Sequence, residues 1–465
     1  MNTSFFKDKK ITVYGLGLHG GGVGVVKFLV ANGANVIVTD LGSREKLAPS
    51  LEKLKGLKNI KYVLGQHRVE DFTNVDMVIK NPAIAWTDKH IKLALEKKVP
   101  VEMDSSLFFK LCKNKIIGVT GTKGKTTTSV LIYGLLKSAG KNPIKVGIGQ
   151  TAVLDKLSLL KKDSIVVFEL SSWRLSALGR AKISPSIAVF TNLLPDHLNY
   201  YATMEKYLKD KKYIFTSQKA KDFLVINYDD EKLKEIFKEA LSQVIKFSYE
   251  PLKKSKSVFL EDEKIYLNNG IDVFRLIAVK DVTILGRHNL ANVMAAIGAV
   301  SAFGLSALEI KKALPSLKGP LNRLEFVREV ADVKYYNDTT ATIPQAAISA
   351  LQTFEQPVIL IAGGSDKNLD FSELGKEIAQ KNKRVILLQG KATERLLFQI
   401  KKHADESFLE TIEIVDSMEK AVSLARKFAE KGDVVLLSPG AASFGLFNDE
   451  FDRGEKFRQA VKNLK

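Results

Sequence analysis

The sequence predicts an α/β protein of three domains, each built on a largely parallel sheet. Three observations carry that expectation. The 465 residues match about three domains at roughly 100–200 residues each. Short β-branched apolar runs alternate with helix-length amphipathic stretches almost throughout, which is the spacing of strand–helix–strand units. Hydrophobic residues make up 45% of the chain and charged residues 26%, ordinary for a globular protein with several cores.

Taken in order, a first block has strands near Ile11–Tyr14, Asn35–Thr39, Tyr62–Leu64 and Asp76–Ile79. A second opens at Lys115–Val119 and continues through Ile165–Phe168 and Ser186–Phe190, and Ser257–Leu267 alternates around Asp262-Glu263 as a small antiparallel hairpin would. A third follows Gly319-Pro320, with runs at Val358–Ile361, Arg384–Leu388, Thr411–Val415 and Val434–Leu437. Domains of 1–103, 104–319 and 320–465 follow.

No apolar run approaches the ~20 residues of a membrane-spanning helix, so no membrane insertion is expected. Met1–Lys10 leads straight into an apolar strand, which reads as folded protein and not as a signal peptide. Cys112 stands alone, excluding an internal disulfide and a cysteine-rich metal site. A cytoplasmic monomer is expected. The net charge of +19 could serve nucleic acid, an anionic surface or phosphorylated ligands. Its lysines are scattered, as in Lys209–Lys212 and Lys253–Lys256, and no nucleic-acid-binding signature accompanies them. A lysine-rich solvated surface is the simpler reading.

The strongest chemical signal is Gly118-Val-Thr-Gly-Thr-Lys-Gly-Lys-Thr-Thr-Thr128, between a buried strand and a helix. There the backbone N–H groups of Gly121, Thr122, Lys123, Gly124 and Thr127 can wrap a polyphosphate at a helix N-terminus. Lys125 would reach the β- and γ-phosphates and the Thr126 hydroxyl would ligate Mg²⁺. Val119 occupies the position of the usual first glycine. A second glycine turn, Gly15-Leu-Gly-Leu-His-Gly20, follows the first strand with Asp40 at the end of the next, a fit to the dinucleotide fingerprint. Alone, that fingerprint would suit an NAD-dependent oxidoreductase, and the phosphate loop alone a nucleotide-binding regulator.

The variant Thr-Gly-Thr-Lys-Gly-Lys-Thr-Thr resembles the ATP loop of the Mur ligases and their folate-ligase relatives, and further segments match in family order. They are Glu169 in Phe-Glu-Leu-Ser-Ser-Trp, His197 in Thr191-Asn-Leu-Leu-Pro-Asp-His197, and Lys211 in Tyr207-Leu-Lys-Asp-Lys-Lys-Tyr-Ile214. Gly286-Arg-His-Asn-Leu-Ala-Asn292 contributes Asn289, Asn322-Arg-Leu-Glu325 contributes Arg323, and Asn337-Asp-Thr-Thr-Ala-Thr342 contributes Asp338 and Thr342. The resemblance implies an ATP-dependent ligase with a Rossmann-like first domain, a phosphate-loop ATPase-like centre and a Rossmann-like last domain. Lys125, Glu169, His197 and Lys211 are its implied catalytic set. Thr126, Glu169, His197 and a carbamylated Lys211 are the implied ligands of two Mg²⁺ ions. Asn289, Arg323 and Asp338 join the loop as ATP contacts.

Ala362-Gly-Gly-Ser-Asp-Lys367 and Leu437-Ser-Pro-Gly-Ala-Ala-Ser-Phe444 both end strands and look most like the D-glutamate-adding branch. On that likeness Thr342, Lys367, Ser443 and Phe444 contact the amino acid. Leu18, His19, Asp40 and Asn81 contact the UDP of a second substrate, UDP-N-acetylmuramoyl-L-alanine. A sibling adding another amino acid is the nearest alternative. Departures from the family pattern are Asn81-Pro-Ala83 for Ser-Pro-Gly, Gly147-Ile-Gly-Gln150 for Gly-Gly-Asn-Ile-Gly, Thr340 for a lysine, and Glu450-Phe451 where relatives place an aromatic residue.

Overall fold

The computed structural model describes every residue except His19, 149–151, Thr283, Leu285, Lys367 and Lys465, and only the backbone of Leu198 and Asn199. The chain begins with five strands: β1 (Lys10–Tyr14), β2 (Asn35–Asp40), β3 (Ile60–Leu64), β4 (Met77–Lys80) and β5 (Val101–Glu102). They pair in the order β3-β2-β1-β4-β5, all parallel. Parallel neighbours need crossovers, which helices such as Gly21–Ala31 and Lys89–Glu96 supply.

The second sheet holds β6 (Ile116–Thr120), β7 (Asn142–Val146), β8 (Ser164–Glu169), β9 (Ile187–Phe190), β10 (Phe223–Asn227), β11 (Gln243–Ser248), β12 (Ser257–Glu261), β13 (Lys264–Asn268) and β14 (Val273–Ala278). Its order is β14-β13-β12-β11-β10-β9-β6-β8-β7. The expected hairpin is β12–β13, but β14 extends it, and a parallel β11–β12 pair joins it to the main sheet. The third sheet contains β15 (Glu325–Val330), β16 (Val333–Asn337), β17 (Val358–Gly363), β18 (Asn382–Leu388), β19 (Glu413–Val415) and β20 (Val434–Leu437), ordered β15-β16-β20-β17-β18-β19. It opens on an antiparallel hairpin, β15–β16, and is parallel beyond it.

The chain packs as two compact units: Met1–Val282 with Asn289–Leu317, and Thr283–His288 with Lys318–Lys465. In the first, the two sheets share one apolar core that runs from Val13 and Leu29 through Phe108 to Phe168 and Phe190. In the second, each face of the sheet has its own core. Helices Met418–Phe428 and Glu450–Lys462 cover one face, and Pro344–Leu351, Ser372–Lys381 and Lys391–Lys401 cover the other. Among the described residues no helix is long and apolar enough to cross a membrane.

Phe168 is fully buried on β8, with its ring 5.3 Å from Phe108 and 5.7 Å from Phe109. Both partners sit on Asp104–Leu111, the helix joining the first two sheets. Phe168→Ala should cost about 3–5 kcal/mol, measured as a fall in the denaturant midpoint. An unchanged midpoint would show that the shared core does not hold this helix.

Candidate active site

Sheet register decides what surrounds the phosphate loop. β6 lies between β8 and β9, with Val119 opposite Glu169 and Thr120 opposite Phe190. The loop leaving β6 therefore emerges between Glu169, the last residue of β8, and the segment from Thr191 to His197. Gly124 (φ +81°) caps the helix Lys125–Ser138, as the left-handed turn into that helix requires. A Cβ at Gly121 would lie 1.9 Å from Thr191 Oγ1, and one at Gly124 would lie 2.2 Å from Asn292 Oδ1.

Polar contacts brace the loop on both sides. Thr191 Oγ1 donates to Lys123 O (2.6 Å), and Lys123 N donates to Asn192 Oδ1 (2.9 Å). The buried Thr122 hydroxyl lies 3.3 Å from Tyr207 Oη and donates to Leu194 O at 3.1 Å. On the far side Thr128 Oγ1 donates to Asn292 Oδ1 (3.2 Å), and Asn292 Nδ2 donates to Asn289 Oδ1 (2.9 Å). Asn289 is thus wired to the loop through Asn292, a residue not singled out from the sequence. The two lie three apart at the start of Arg287–Phe303, and that i, i+3 spacing was the available signal.

Two lysines converge on one oxygen. Gly121 O accepts from Lys125 Nζ at 3.0 Å and from Lys211 Nζ at 2.7 Å. Lys211, on helix Met204–Lys212, is 1% exposed and stands 4.8 Å from the Tyr207 ring. Burial pushes its pKa well below the usual lysine range, and the nearby Lys125 charge adds to this. His197 has a left-handed backbone (φ +54°) and is about half exposed, its ring 4.9 Å from Trp173. Thr126 is half-buried in the first turn of the loop helix.

The Gly15–Gly20 turn follows the same register logic. β1 lies between β2 and β4, with Tyr14 opposite Thr39 and Lys80, so Asp40 and Asn81 flank the turn. Asp40 accepts from Gly17 N (3.1 Å) and Gly42 N (2.8 Å). Asn81 Nδ2 donates to Gly15 O (3.4 Å). Leu18 is exposed beside them, and His19 lies outside the described residues. A cavity of about 800 Å³ opens here, lined by Leu18, Asp40, Leu41, His67 and Asn81 among others.

In the C-terminal unit, β20 lies between β16 and β17, which gathers three strand-end loops. Gly440 N donates to Ala341 O (2.8 Å), and Ser365 pairs with Ala442. Thr342, the buried Ser443 and the exposed Phe444 stand on these joined loops; Lys367 lies outside the described residues. Beneath them Arg453, fully buried, donates to Thr339 Oγ1 (3.0 Å), Thr339 O (2.8 Å) and Ala441 O (3.2 Å). Thr340 Oγ1 is turned to Asn322 O (2.8 Å). Asp338 is buried, accepts from Leu324 N (3.2 Å) and Ser438 Oγ (2.9 Å), and has the exposed Arg323 nearby. Burial raises its pKa to about 7.

Three α/β sheets, each gathering loops at its strand ends and the middle one carrying a phosphate loop, are the architecture of a Mur ligase, and the chain belongs to that family. The Mur ligase MurD-like N-terminal domain model matches residues 9–102, the Mur ligase middle domain 119–300, and the Mur ligase glutamate ligase domain 322–440. The chain is 39% identical to the UDP-N-acetylmuramoylalanine–D-glutamate ligase of Roseiflexus sp. (strain RS-1), over 98% of this chain and 99% of the relative. It is 36% identical to the enzyme of that name from Clostridioides difficile (strain 630), over 99% of each. Among solved structures, UDP-N-acetylmuramate-alanine ligase MurC from Thermotoga maritima shares the fold (TM-score 0.57, 20% identity, 98% of this chain and 100% of that one). So does MurF ligase from Thermotoga maritima in complex with ADP (TM-score 0.56, 19% identity, 99% and 97%).

The raised Asp338 pKa sets a sign for stability. Its carboxylate is less favourable folded than unfolded, so its contribution is intact below about pH 4 and lost as pH rises through about 7. Asp338→Asn should therefore raise stability at about pH 8 by roughly 1–3 kcal/mol more than at about pH 5. Paired denaturant titrations measure this, and an equal gain at both values would refute it.

Proposed function

We propose that the chain is an ATP-dependent ligase that joins D-glutamate to UDP-N-acetylmuramoyl-L-alanine in the synthesis of peptidoglycan precursors. Full-length identity to enzymes of that name carries the reading. On it, residues 1–103 hold the UDP-linked substrate through Leu18, His19, Asp40 and Asn81. Residues 104–319 hold ATP, and 320–465 hold the amino acid through Thr342, Lys367, Ser443 and Phe444. Small nucleotide-linked substrates place such an enzyme in the cytoplasm.

The substrate's carboxylate oxygen attacks the γ-phosphorus of ATP, and the bond from that phosphorus to the ADP oxygen breaks. The amine nitrogen of D-glutamate then attacks the acyl carbon. Phosphate leaves with the C–O electron pair and the nitrogen loses a proton, forming the amide. Two anions must meet in the first step, so positive charge has to be in place beforehand. Lys125 supplies it from the loop, and Arg323 is the further cation that the family resemblance assigns to ATP. Asn289 and Asp338 contact the nucleotide.

The donor set fits Mg²⁺ on one condition. The Thr126 hydroxyl and the Glu169 carboxylate would serve as hard oxygen ligands, and His197 and Lys211 would join them if that amine carried a carboxylate-like oxygen. Bound Mg²⁺ would neutralise charge on the transferring phosphoryl group. A neutral amine is the form that adds to CO₂ to give a carbamate. Burial of Lys211 favours that form, and its contact with Gly121 O sets it at the loop.

Two experiments test the reading. With UDP-N-acetylmuramoyl-L-alanine, ATP and equal amounts of D-glutamate, L-alanine, L-lysine and meso-diaminopimelate, D-glutamate should dominate the product. A site built for a second carboxylate can reject an analogue lacking it by about 10⁴-fold. Preferential incorporation of another amino acid would remove the specificity and leave a ligase. Separately, Lys211→Ala should lose activity, regain part of it with added short carboxylates, and lack the ¹³C carbamate resonance of the parent in labelled bicarbonate. Full activity without bicarbonate would refute the carbamate.

A further inference from the structure

Beside the nucleotide cavity lies a smaller one of about 340 Å³, lined by the glycine turn, Lys80, Asn81, Asp104 and Arg174. The two cavities share Gly15, Gly17, Leu18 and Asn81. A nucleoside diphosphate-linked sugar seated in the larger would thus pass over that shared rim into the smaller. One wall of the smaller carries Arg174, in the first turn of Ser172–Ala181, the helix that follows β8.

We infer that Arg174, assisted by Lys80, is a substrate-binding residue that grips the diphosphate of the UDP-linked substrate. The inference rests on the ligase reading and deepens it. Arg174 Nη2 donates to Asp104 Oδ2 (3.1 Å) and Nη1 to Gly147 O (3.3 Å). Among the described residues its buried Nε–H has no partner. These contacts hold the guanidinium at the cavity wall with donor capacity to spare, and a planar fork of donors suits phosphate oxygens. Lys80, the last residue of β4, is 2% exposed and donates to Ile84 O (2.8 Å), its Nζ 4.6 Å from the Trp86 ring. Burial lowers the Lys80 pKa to about 7, so an arriving diphosphate would favour its ammonium form, and the anion in the cavity lining, Asp104, is already engaged by Arg174. Arg174 comes from the helix after β8 of the central sheet and Lys80 from β4 of the first, so a diphosphate held between them would also fix the direction in which the sugar leaves.

The test compares ligands that differ only in phosphate. By calorimetry on the full chain, Arg174→Gln should weaken UDP at least about 10-fold while uridine binds as before, because only UDP presents the charge. Arg174→Lys should recover part of the loss. Asp104→Asn should leave UDP binding equal or tighter, since it removes a competing anion. A non-hydrolysable ATP analogue bound with parental affinity checks that each variant is folded. If Arg174→Gln leaves UDP affinity unchanged, or weakens uridine equally, or if Asp104→Asn mimics Arg174→Gln, the residue is only a structural tie and the inference falls. If the parent binds neither UDP nor uridine, the substrate reading itself falls.

Discussion

The Gly121 carbonyl oxygen accepts two lysine side chains, and much of the central site follows from that crowding. Two full ammonium charges on one buried acceptor would repel strongly in a low dielectric. The conflict is relieved by keeping Lys211, the deeper of the two, away from its charged form. On the proposed reading Lys125 serves as the cation of the loop and Lys211 as the amine that takes up CO₂ at the same spot. Holding them in register requires a rigid carbonyl. Thr191 and Asn192 on one side and the Thr128–Asn292–Asn289 chain on the other hold the loop that bears it.

The same topological device recurs in all three sheets. Each places a loop-bearing strand between two parallel neighbours: β1 between β2 and β4, β6 between β8 and β9, β20 between β16 and β17. Ligand loops of open sheets collect where chain order reverses beside such a strand. The three proposed binding functions are thus one arrangement used three times with different loop chemistry. Around β1 the flanking residues are Asp40 and Asn81, around β6 Glu169 and His197, and around β20 Asp338 and Ser365.

Much of this was legible in the sequence, because strand-ending glycine turns and β-branched runs carry strong local signals. The phosphate loop, Glu169 at the end of β8 and the helix around Lys211 all stand where their motifs suggested. What stayed hidden depends on long-range packing. β15 and β16 carry Glu325, Arg328, Glu329 and Lys334, so their alternation looks like solvated loop until they pair. β7 begins Asn-Pro and lacks the apolar run of its neighbours. A lysine within Lys-Asp-Lys-Lys gives no hint that it is the buried one, since the helical period alone does not say which face meets the loop. Lys80 and Arg174 escaped for a like reason: their meaning comes from two sheets approaching each other. Lys80 did leave a trace, as a charged residue ending an otherwise apolar strand.

The placement of the two tryptophans gives the protein a local optical probe. Trp86 bonds through its indole N–H to Ser176 Oγ (2.7 Å) and has Arg180 4.3 Å from its ring, while Trp173 packs beside His197. Both therefore lie in the first unit, near where its two sheets meet, and the chain has no other tryptophan. Cations over an indole ring, and a protonatable imidazole beside one, alter emission. Tryptophan emission, excited at wavelengths where the tyrosines do not absorb, is consequently a readout of that junction and carries no fluorophore from the C-terminal unit. Ligands arriving at the glycine turn and ligands arriving at β20 can be told apart without attaching a label.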